Sequence, residues 1–281
     1  MIGIQSPRTR EFEFSRADFL VLRDLVKKLA GIDLADSKED MVYSRISRRL
    51  RSLGLRTFAQ YCELLESGDS SELAEFCNAM TTNLTAFFRE GHHFDYLRSH
   101  VLAPRLAGPK AARRIRIWSA GCSSGEEAYS IAMTVCETIP DRRGWDVKIL
   151  ATDIDSRMLA LAKQGSYSQD RVKGLTSERL ARFFENAPGE QRLFSIKPEV
   201  ARLVTFKQLN LMHDWPMSGP FDAIVCRNVV IYFDKHTQRQ LFARMAQLQR
   251  REDLLFLGHS ETLFKVSTDY ELIGKTVYRR A

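Results

Sequence analysis

The chain has 281 residues, of which 44% are hydrophobic and 27% are charged, and its formal net charge is +7. These values exclude a disordered chain and a small disulfide-stapled scaffold, and they predict one or two globular domains with a large core. No apolar run approaches the roughly 20 residues that a transmembrane helix needs, so we expect no direct insertion into a membrane.

The cysteines and the start of the chain predict the compartment. Five cysteines occur, and no two of them form a CxxC pair. The first ten residues are polar and basic, unlike the apolar core of a secretory signal. An odd number of thiols after such a start is typical of a reducing environment, so we predict a cytoplasmic protein.

Residues 11–90 are predicted to form a small helical domain. Apolar residues recur at helical spacing from Phe19 to Leu29, and Ser15 is a suitable N-cap before them. Ser37 has the right type to cap the next helix. Further amphipathic segments follow, and this part of the sequence shows no strand pattern.

The second predicted helix is strongly basic. Residues 41–56 contain five arginines and no acidic residue. Ile46, Leu50 and Leu53 form its apolar stripe, so the arginines are expected to point away from the core. Such a cluster is either a solvated face or a docking surface for an acidic partner. It is too local to wrap a nucleic acid, which we do not expect as a partner.

The second half of the chain has a different periodicity. Residues 91–110 predict a linker helix, and Gly108 and Pro109 end it. From residue 111 to residue 281, short apolar segments alternate with helical patterns, which predicts an α/β fold with a mostly parallel sheet covered on both faces. The stretch at about 190–208 is predicted to be a small antiparallel insertion, and residues 270–280 a closing hairpin.

A loop of small residues follows the first predicted strand. Gly121 and Gly125 in SAGCSSGEE let the backbone approach a ligand closely. The loop departs from GxGxxG, and Glu126 and Glu127 after it would repel a pyrophosphate. Both acids would suit a ligand that bears an ammonium and a sulfonium. Taken alone, the loop is also compatible with a purely structural turn.

Polar residues follow two further predicted strands. Asp153 in ATDID can accept both hydroxyls of a ribose, whereas Asp155 fits an N-cap of the following helix. Arg227 and Asn228 follow an apolar strand, and such side chains are costly to bury without partners. Ligands bind at the carboxyl ends of the strands in a doubly wound sheet, so these residues predict a binding site.

The segment 81–90, TTNLTAFFRE, lies at the predicted domain junction. It places hydroxyls, an amide, two aromatic rings and an arginine within ten residues. In a purely structural interpretation, this segment is an ordinary capped start of a helix. In a functional interpretation, the segment would let the first domain close over a ligand that the second domain binds.

Several motifs together resemble the CheR family of chemotaxis receptor methyltransferases. They are TTNLTAFFRE, SAGCSSGEEAYS, ATDID, FDAIVCRNVVIYFD and GHSETL, in this order over nearly the whole chain. The resemblance implies an α/β fold: a small all-helical domain followed by a Rossmann-like methyltransferase domain with an antiparallel β insertion. It also implies S-adenosylmethionine as the cofactor and S-adenosylhomocysteine as the product.

The resemblance further implies roles for individual residues. The cofactor-binding residues, carried over by motif, are Asn83, Thr85, Arg89, Gly121, Glu127, Asp153, Asn210, Leu211, Arg227 and Asn228. Arg89 and Tyr232 are candidates for orienting the acceptor group. No metal is expected. The helical domain at 11–90 would serve as a receptor-docking unit and as a lid over the cofactor.

The implied partners are the cytoplasmic helices of bacterial chemoreceptors, on which family members methylate specific glutamates. The protein would then be recruited to membrane-bound receptor arrays. The docking residues are expected to be Arg45, Arg48, Arg49 and Arg56. In some members the insertion also binds a peptide at the receptor's C-terminus. Here the turn at 186–190 looks shorter and less glycine-rich than in those members, which argues against such tethering.

Two other functions are compatible with the sequence. The basic net charge would suit an RNA or small-molecule methyltransferase, but the basic residues are not interleaved with aromatic ones, and the strand-end motif does not read NPPY. A non-catalytic protein that senses S-adenosylmethionine would carry the same motifs. Labelling of receptor, of RNA or of neither would distinguish the three.

Overall fold

The computed structural model describes residues 10–109, 113–186 and 193–281. The chain divides into two compact units, Met1–Thr81 and Thr82–Ala281. The sequence placed the end of the helical domain near residue 90, whereas residues 82–90 belong to the second unit. Of the turn at 186–190, residues 187–190 lie outside the described residues.

The first unit is helical. Its elements are α1 (Arg16–Ala30), a 3-10 turn (Asp36–Lys38), α2 (Glu39–Leu53), α3 (Phe58–Glu66) and α4 (Ser70–Met80). Ser15 caps α1 through a capping box with Asp18, as predicted. The prediction for Ser37 is wrong. Ser37 lies inside the 3-10 turn, which runs directly into α2, and α2 begins without a side-chain cap.

Each helix of this unit contributes fully buried apolar side chains to its core. They include Phe19 from α1, Ile46 and Leu50 from α2, Phe58 from α3 and Phe76 from α4. The apolar stripe predicted for α2 therefore faces the core of its own unit. Its last predicted member, Leu53, is 40% exposed because the helix ends at the left-handed Gly54.

In the second unit, the segment at 82–90 is followed by a helical segment that corresponds to the predicted linker helix. It consists of α5 (His92–Tyr96), a π-helical stretch (Leu97–Leu102) and α6 (Ala103–Leu106). Leu97, Val101 and Leu102 are buried in the main core of the unit. This segment is thus part of the second unit's packing.

The main sheet has seven strands, and the small sheet has three. The strands are β1 (Arg114–Ala120), β2 (Asp146–Asp153), β3 (Ser166–Ser168), β4 (Phe184–Asn186), β5 (Leu193–Ile196), β6 (Val204–Gln208), β7 (Ala223–Cys226), β8 (Leu254–Leu257), β9 (Tyr270–Gly274) and β10 (Val277–Arg280). The main sheet has the order β6-β2-β1-β7-β8-β10-β9. Its first five strands are parallel, and β10 pairs antiparallel with both neighbours.

Helices cover both faces of the main sheet. The remaining helices of the unit are α7 (Glu126–Thr138), α8 (Ser156–Gln164), α9 (Gln169–Val172), α10 (Ser177–Phe183), α11 (Pro198–Ala201) and α12 (Lys235–Gln247). Of these, α9 and α10 contact the small sheet, and α11 contacts α7. Apolar residues of α7 join one core cluster, and those of α12 join the other. The predicted covered α/β sheet is confirmed. Strand order reverses between β1 and β7, so the ligand crevice is expected outside their carboxyl ends.

The small antiparallel sheet is present, but its extent differs from the predicted 190–208. It has the order β3-β5-β4 and therefore begins at Ser166. Residues Val204–Gln208 form β6, which pairs parallel with β2 at the edge of the main sheet. Two strands of the small sheet have only three residues each, too few to show a period of two in the sequence.

Two further observations concern the cysteines and the helices. The five cysteines are free and buried. In the part of the chain that the structure describes, no helix combines the length and the apolar character that crossing a membrane requires.

Candidate cofactor site

The loop after β1 is built around Gly121. Gly121 has φ +86°, and a side chain there would overlap the side chain of Val229. The amides of Gly121 and Cys122 both donate to the carbonyl oxygen of Thr152, at 2.8 and 2.9 Å. The loop is therefore fixed to the end of β2 and lies close to the loop that follows β7.

Asp153 ends β2 and is 8% exposed. Its Oδ2 accepts from the amide of Ser123 at 2.7 Å, and its Oδ1 accepts from the amide of Asp155 at 2.9 Å. Burial raises the pKa of Asp153, although these amides act in the opposite direction. Each carboxylate oxygen has a second acceptor position, so the group can also receive the hydroxyls of a ribose.

Asp155 and Asn83 form a structural pair. The Asp155 carboxylate caps α8 by accepting from the amides of Arg157 and Met158 at 3.0 and 3.3 Å. It also accepts from the amide side chain of Asn83 at 2.8 Å. The N-cap reading of Asp155 is thus confirmed. The carbonyl oxygen of Asn83 accepts from the hydroxyl of Ser123 at 3.2 Å, which brings the segment at 82–90 to the same crevice.

The two acids at the start of α7 have different environments. Glu126 is fully buried, accepts from the Ser124 hydroxyl at 2.8 Å and forms an ion pair with Arg171. The expectation that both acids face a cationic ligand is therefore wrong for Glu126. Glu127 accepts from the Ser119 hydroxyl at 2.7 Å. Burial raises its pKa to about 7.

Arg227 is the cation of this site. It is 5% exposed, and its guanidinium lies 3.5 Å from the carboxylates of both Glu90 and Glu127. It also donates to the carbonyl oxygen of Arg89 at 2.5 Å. These partners offset the cost of burying the charge at the strand end. Arg227 thereby links the end of β7, the start of α7 and the segment at 82–90.

The segment at 82–90 has an unusual backbone. Phe88 and Glu90 have positive φ values of 51° and 57°. The amide of Phe88 donates to the hydroxyl of Ser130 on α7 at 2.9 Å, and Phe87 is buried. Arg89 donates to the carbonyl oxygen of Leu84 at 3.0 Å. Thr85 is half-buried in the same segment. This packing explains why these residues belong to the second unit.

Three residues of this segment and of α5 bring ligand-type atoms together. Atoms of Glu90, His92 and His93 lie within 4.8 Å of one another. Burial raises the pKa of Glu90, but the hydrogen bond from His259 and the charge of Arg227 outweigh it, so the net pKa is lowered. Because Arg227 already lies against Glu90, the site is poorly suited to a further cation.

Asn210 and Leu211 lie in the loop after β6. The side-chain oxygen of Asn210 accepts from the amide of Met212 at 2.9 Å, and Leu211 is 9% exposed. Arg244 of α12 donates to the carbonyl oxygen of Leu211 at 2.9 Å and stacks on Trp215, with 4.0 Å to the ring centroid. The loop is thus fixed at the carboxyl edge next to Asp153.

Asn228 and Tyr232 lie in the loop after β7. Asn228 has φ +59°, and its amide donates to the Glu261 carboxylate at 2.9 Å. Tyr232 is half-buried in a 3-10 turn (Val230–Tyr232), and its hydroxyl bonds to no residue within the described ranges. Sequence reasoning missed Glu261. The sequence feature that could have identified it is an acidic residue in GHSETL, directly after a buried strand.

The four arginines proposed for docking differ in what they contact. Arg45 of α2 donates to the carbonyl oxygens of Met80 and Thr81, both at 2.7 Å, and so caps α4. Arg49 forms a bidentate ion pair with Glu72, at 3.0 and 2.5 Å. These two are therefore not free, contrary to expectation. Arg48 and Arg56 are exposed and pair with no acid among the described residues.

The chemistry of the crevice fits S-adenosylmethionine. Asp153 offers acceptors for ribose hydroxyls, and Glu127 offers one for an ammonium group. The buried cation Arg227 is held between acids and is not presented to a phosphate. A doubly wound sheet whose ligand edge offers one carboxylate for a ribose and one for an ammonium group fits the class of S-adenosylmethionine-dependent methyltransferases.

Comparisons with known families agree with this class. The CheR methyltransferase, SAM binding domain, matches residues 83–279. The CheR methyltransferase, all-alpha domain, matches residues 17–81. The chain therefore belongs to the CheR methyltransferase family, and S-adenosylmethionine is its cofactor.

Curated relatives match along almost their whole length. The chemotaxis protein methyltransferase of Escherichia coli K12 is 45% identical, over 96% of this chain and 93% of its own. Chemotaxis protein methyltransferase 2 of Pseudomonas aeruginosa is also 45% identical, over 97% and 96%. A probable chemotaxis protein methyltransferase of Rhizobium etli is 43% identical, over 89% and 94%.

Proposed function

We propose that this protein methylates glutamate side chains on the cytoplasmic helices of chemoreceptors, the methyl-accepting chemotaxis proteins. The product would be a glutamate methyl ester, which serves sensory adaptation. The observation that carries the proposal is the match to relatives named chemotaxis protein methyltransferases over nearly the full chain. The protein would act in the cytoplasm and be recruited to receptor arrays.

The proposed chemistry is an SN2 transfer without a general base. Bound S-adenosylmethionine supplies a methyl group to a carboxylate oxygen, while the electron pair of the broken carbon–sulfur bond stays on sulfur. A glutamate with a pKa of about 4.3 is already ionised at pH 7, so no residue has to remove a proton. The protein's task is to align two reactants of opposite charge and exclude water.

The proposed roles of the residues follow from their positions. Asp153 would hold the ribose, and Glu127 would hold the ammonium group of the methionine part. Arg89 and Tyr232 would orient the acceptor carboxylate through a charged donor and a hydroxyl. The hydroxyl of Tyr232 bonds to no described residue, which leaves it available for an acceptor.

The proposed docking surface combines Arg48 on the exposed face of α2 with Arg56 in the loop that follows α2. Arg48 and Arg56 present two cations that no described acid neutralises. A receptor helix with several glutamates would complement them, and such charge pairs mainly steer encounter and fix register.

The test is a labelling experiment with three acceptors. The protein is incubated with methyl-labelled S-adenosylmethionine together with receptor-containing membranes, receptor-free membranes or total RNA. We expect label on the receptor alone, and we expect mild base to release it as methanol because methyl esters hydrolyse readily. Label on RNA, or base-stable label on the receptor, would contradict the proposal.

A further inference from the structure

Glu261, in the loop after β8, has an unusual set of partners. The residue is 4% exposed, and its carboxylate accepts from five backbone amides. Oε2 accepts from Gly258 at 2.6 Å and from Asn228 at 2.9 Å. Oε1 accepts from Val229 and Val230, both at 2.9 Å, and from Ile231 at 3.2 Å. Four of these amides are consecutive and lie in the loop after β7.

The loop conformation depends on this carboxylate. Consecutive amides that point to one side form a concave anion site, and an isolated loop would expose them to water. Asn228 has φ +59°, in the left-handed region that asparagine adopts more readily than most other residues except glycine. A side chain at Gly258 would come within 2.9 Å of both the Asn228 amide and the Glu261 carboxylate. The two loops therefore fit together around one buried anion.

We infer that Glu261 is a positioning residue for methyl transfer. Its carboxylate fixes the loop whose two ends carry Arg227 and Tyr232. At one end, Arg227 contacts Glu127 and the carbonyl oxygen of Arg89. At the other end lies the hydroxyl proposed to orient the acceptor. The inference rests on the proposed function, because it assigns Glu261 a role in the alignment of that same reaction.

A carboxylate that only stabilises the fold should not affect kcat when it is replaced. The carboxylate of Asp222, next to β7, is a matched control for this case. Asp222, directly before the amino end of β7, is 3% exposed. It accepts from Arg105 at 2.5 Å, from Arg250 at 2.6 Å and from the amide of Arg116 at 2.7 Å. Both carboxylates are buried anchors of the same strand, but only Glu261 lies at the edge that carries the site.

The experiment compares Glu261→Gln with Asp222→Asn. In Glu261→Gln an NH2 group faces backbone N–H donors that need an acceptor, so the loop shifts. We expect kcat at saturating cofactor to fall about 10- to 100-fold, the range that an ångström-scale misplacement produces. The receptor KM should stay within about twofold, since docking is elsewhere. Asp222→Asn should lower the melting temperature while kcat stays within about twofold.

A second readout does not depend on the substrate. Amide hydrogen exchange at residues 228–231 should be at least about tenfold faster in Glu261→Gln than in the wild type, because the local structure opens more often. If the wild type labels no receptor, the proposed function fails, whereas the exchange rates still test the loop. If Glu261→Gln does not fold, Glu261→Asp keeps the charge with a shorter reach, and the same loss of kcat is expected.

Three results would overturn the inference. One is a folded Glu261 variant with wild-type kcat. The second is an equal loss of kcat in Asp222→Asn, which would make Glu261 an ordinary anchor of the fold. The third is unchanged amide exchange at 228–231 in a folded Glu261 variant.

Discussion

The guanidinium of Arg227 and the carboxylate of Glu127 lie 3.5 Å apart at the carboxyl edge of the sheet. The positive charge favours the ionised form of Glu127, but burial outweighs it and raises the pKa of Glu127 to about 7. The carboxyl is therefore partly protonated at neutral pH. A cationic ligand group that binds it must compete with a proton.

Cofactor binding should therefore depend on pH. We expect the affinity for S-adenosylhomocysteine to rise roughly tenfold between pH 6 and pH 8, as Glu127 ionises and pairs with the ligand's ammonium group. Calorimetry across this range measures the effect. Glu127→Gln should bind more weakly at pH 8 and lose most of the dependence. A wild-type affinity that stays flat across the range would exclude Glu127 as the ammonium partner.

The same carboxyl should influence the stability of the ligand-free protein, with a defined sign. Its pKa is raised from the ordinary value of 4.5 to about 7. The stability that the protonated carboxyl contributes is therefore fully present below about pH 4.5 and is lost as the pH rises through about 7. We expect Glu127→Gln to melt at a higher temperature relative to wild type at pH 8 than at pH 5. Thermal unfolding at the two pH values checks this, and an opposite trend would contradict the assigned pKa.

Asp153 should be essential for cofactor affinity. Each hydrogen bond from a ribose hydroxyl to a buried carboxylate contributes on the order of 1.5–3 kcal/mol, so we expect Asp153→Ala to weaken binding by at least tenfold. Asp146→Asn is the control, because Asp146 is the first residue of β2 and Asp153 is the last. Calorimetry on both folded variants decides: unchanged affinity in Asp153→Ala would rule out the ribose role.

Much of the fold could be predicted because its signals are local. The alternation of short apolar segments with helical patterns after residue 111 predicts the covered sheet, to which α7 and β7 belong. The acid of ATDID follows its strand directly, so the carboxyl edge was identifiable too. The small sheet was misplaced because two of its strands are three residues long.

The rest of the site could not be predicted because it depends on contacts between distant segments. Glu126 and Glu127 are adjacent in sequence, but the side chains of successive helix residues point about 100° apart. Only the folded structure shows that Arg171 forms an ion pair with Glu126. The sequence pattern of the basic helix predicts which residues point away from the core. It does not predict that the side chain of Arg45 reaches the end of α4. The five amides around Glu261 come from two loops about 30 residues apart.

Tyr232 offers a test of acceptor alignment. Tyr232→Phe removes only the hydroxyl, which bonds to no residue in the described ranges. We expect kcat to fall by about tenfold, the loss of one hydrogen bond to a charged group, with unchanged cofactor affinity. Rates measured at saturating cofactor and receptor isolate this step. An unchanged kcat would remove Tyr232 from the proposed mechanism.

The arginines of α2, together with Arg56 in the loop after it, should separate into docking and structural residues. Arg48 and Arg56 are exposed and lack acidic partners among the described residues, so reversing both charges should raise the receptor KM and leave cofactor affinity unchanged. Arg45→Ala and Arg49→Ala should instead lower the melting temperature, because each loses contacts within its unit, the α4 carbonyls for Arg45 and Glu72 for Arg49.

Salt provides the discriminating measurement for docking. Exposed charge pairs contribute only about 0–1 kcal/mol each and are screened over roughly 8–10 Å at physiological salt. We therefore expect wild-type methylation at low receptor concentration to fall as salt rises, whereas the Arg48→Glu, Arg56→Glu variant should be slower at low salt and less sensitive. If the two proteins respond equally across the salt series, Arg48 and Arg56 form a solvated face and the receptor docks elsewhere.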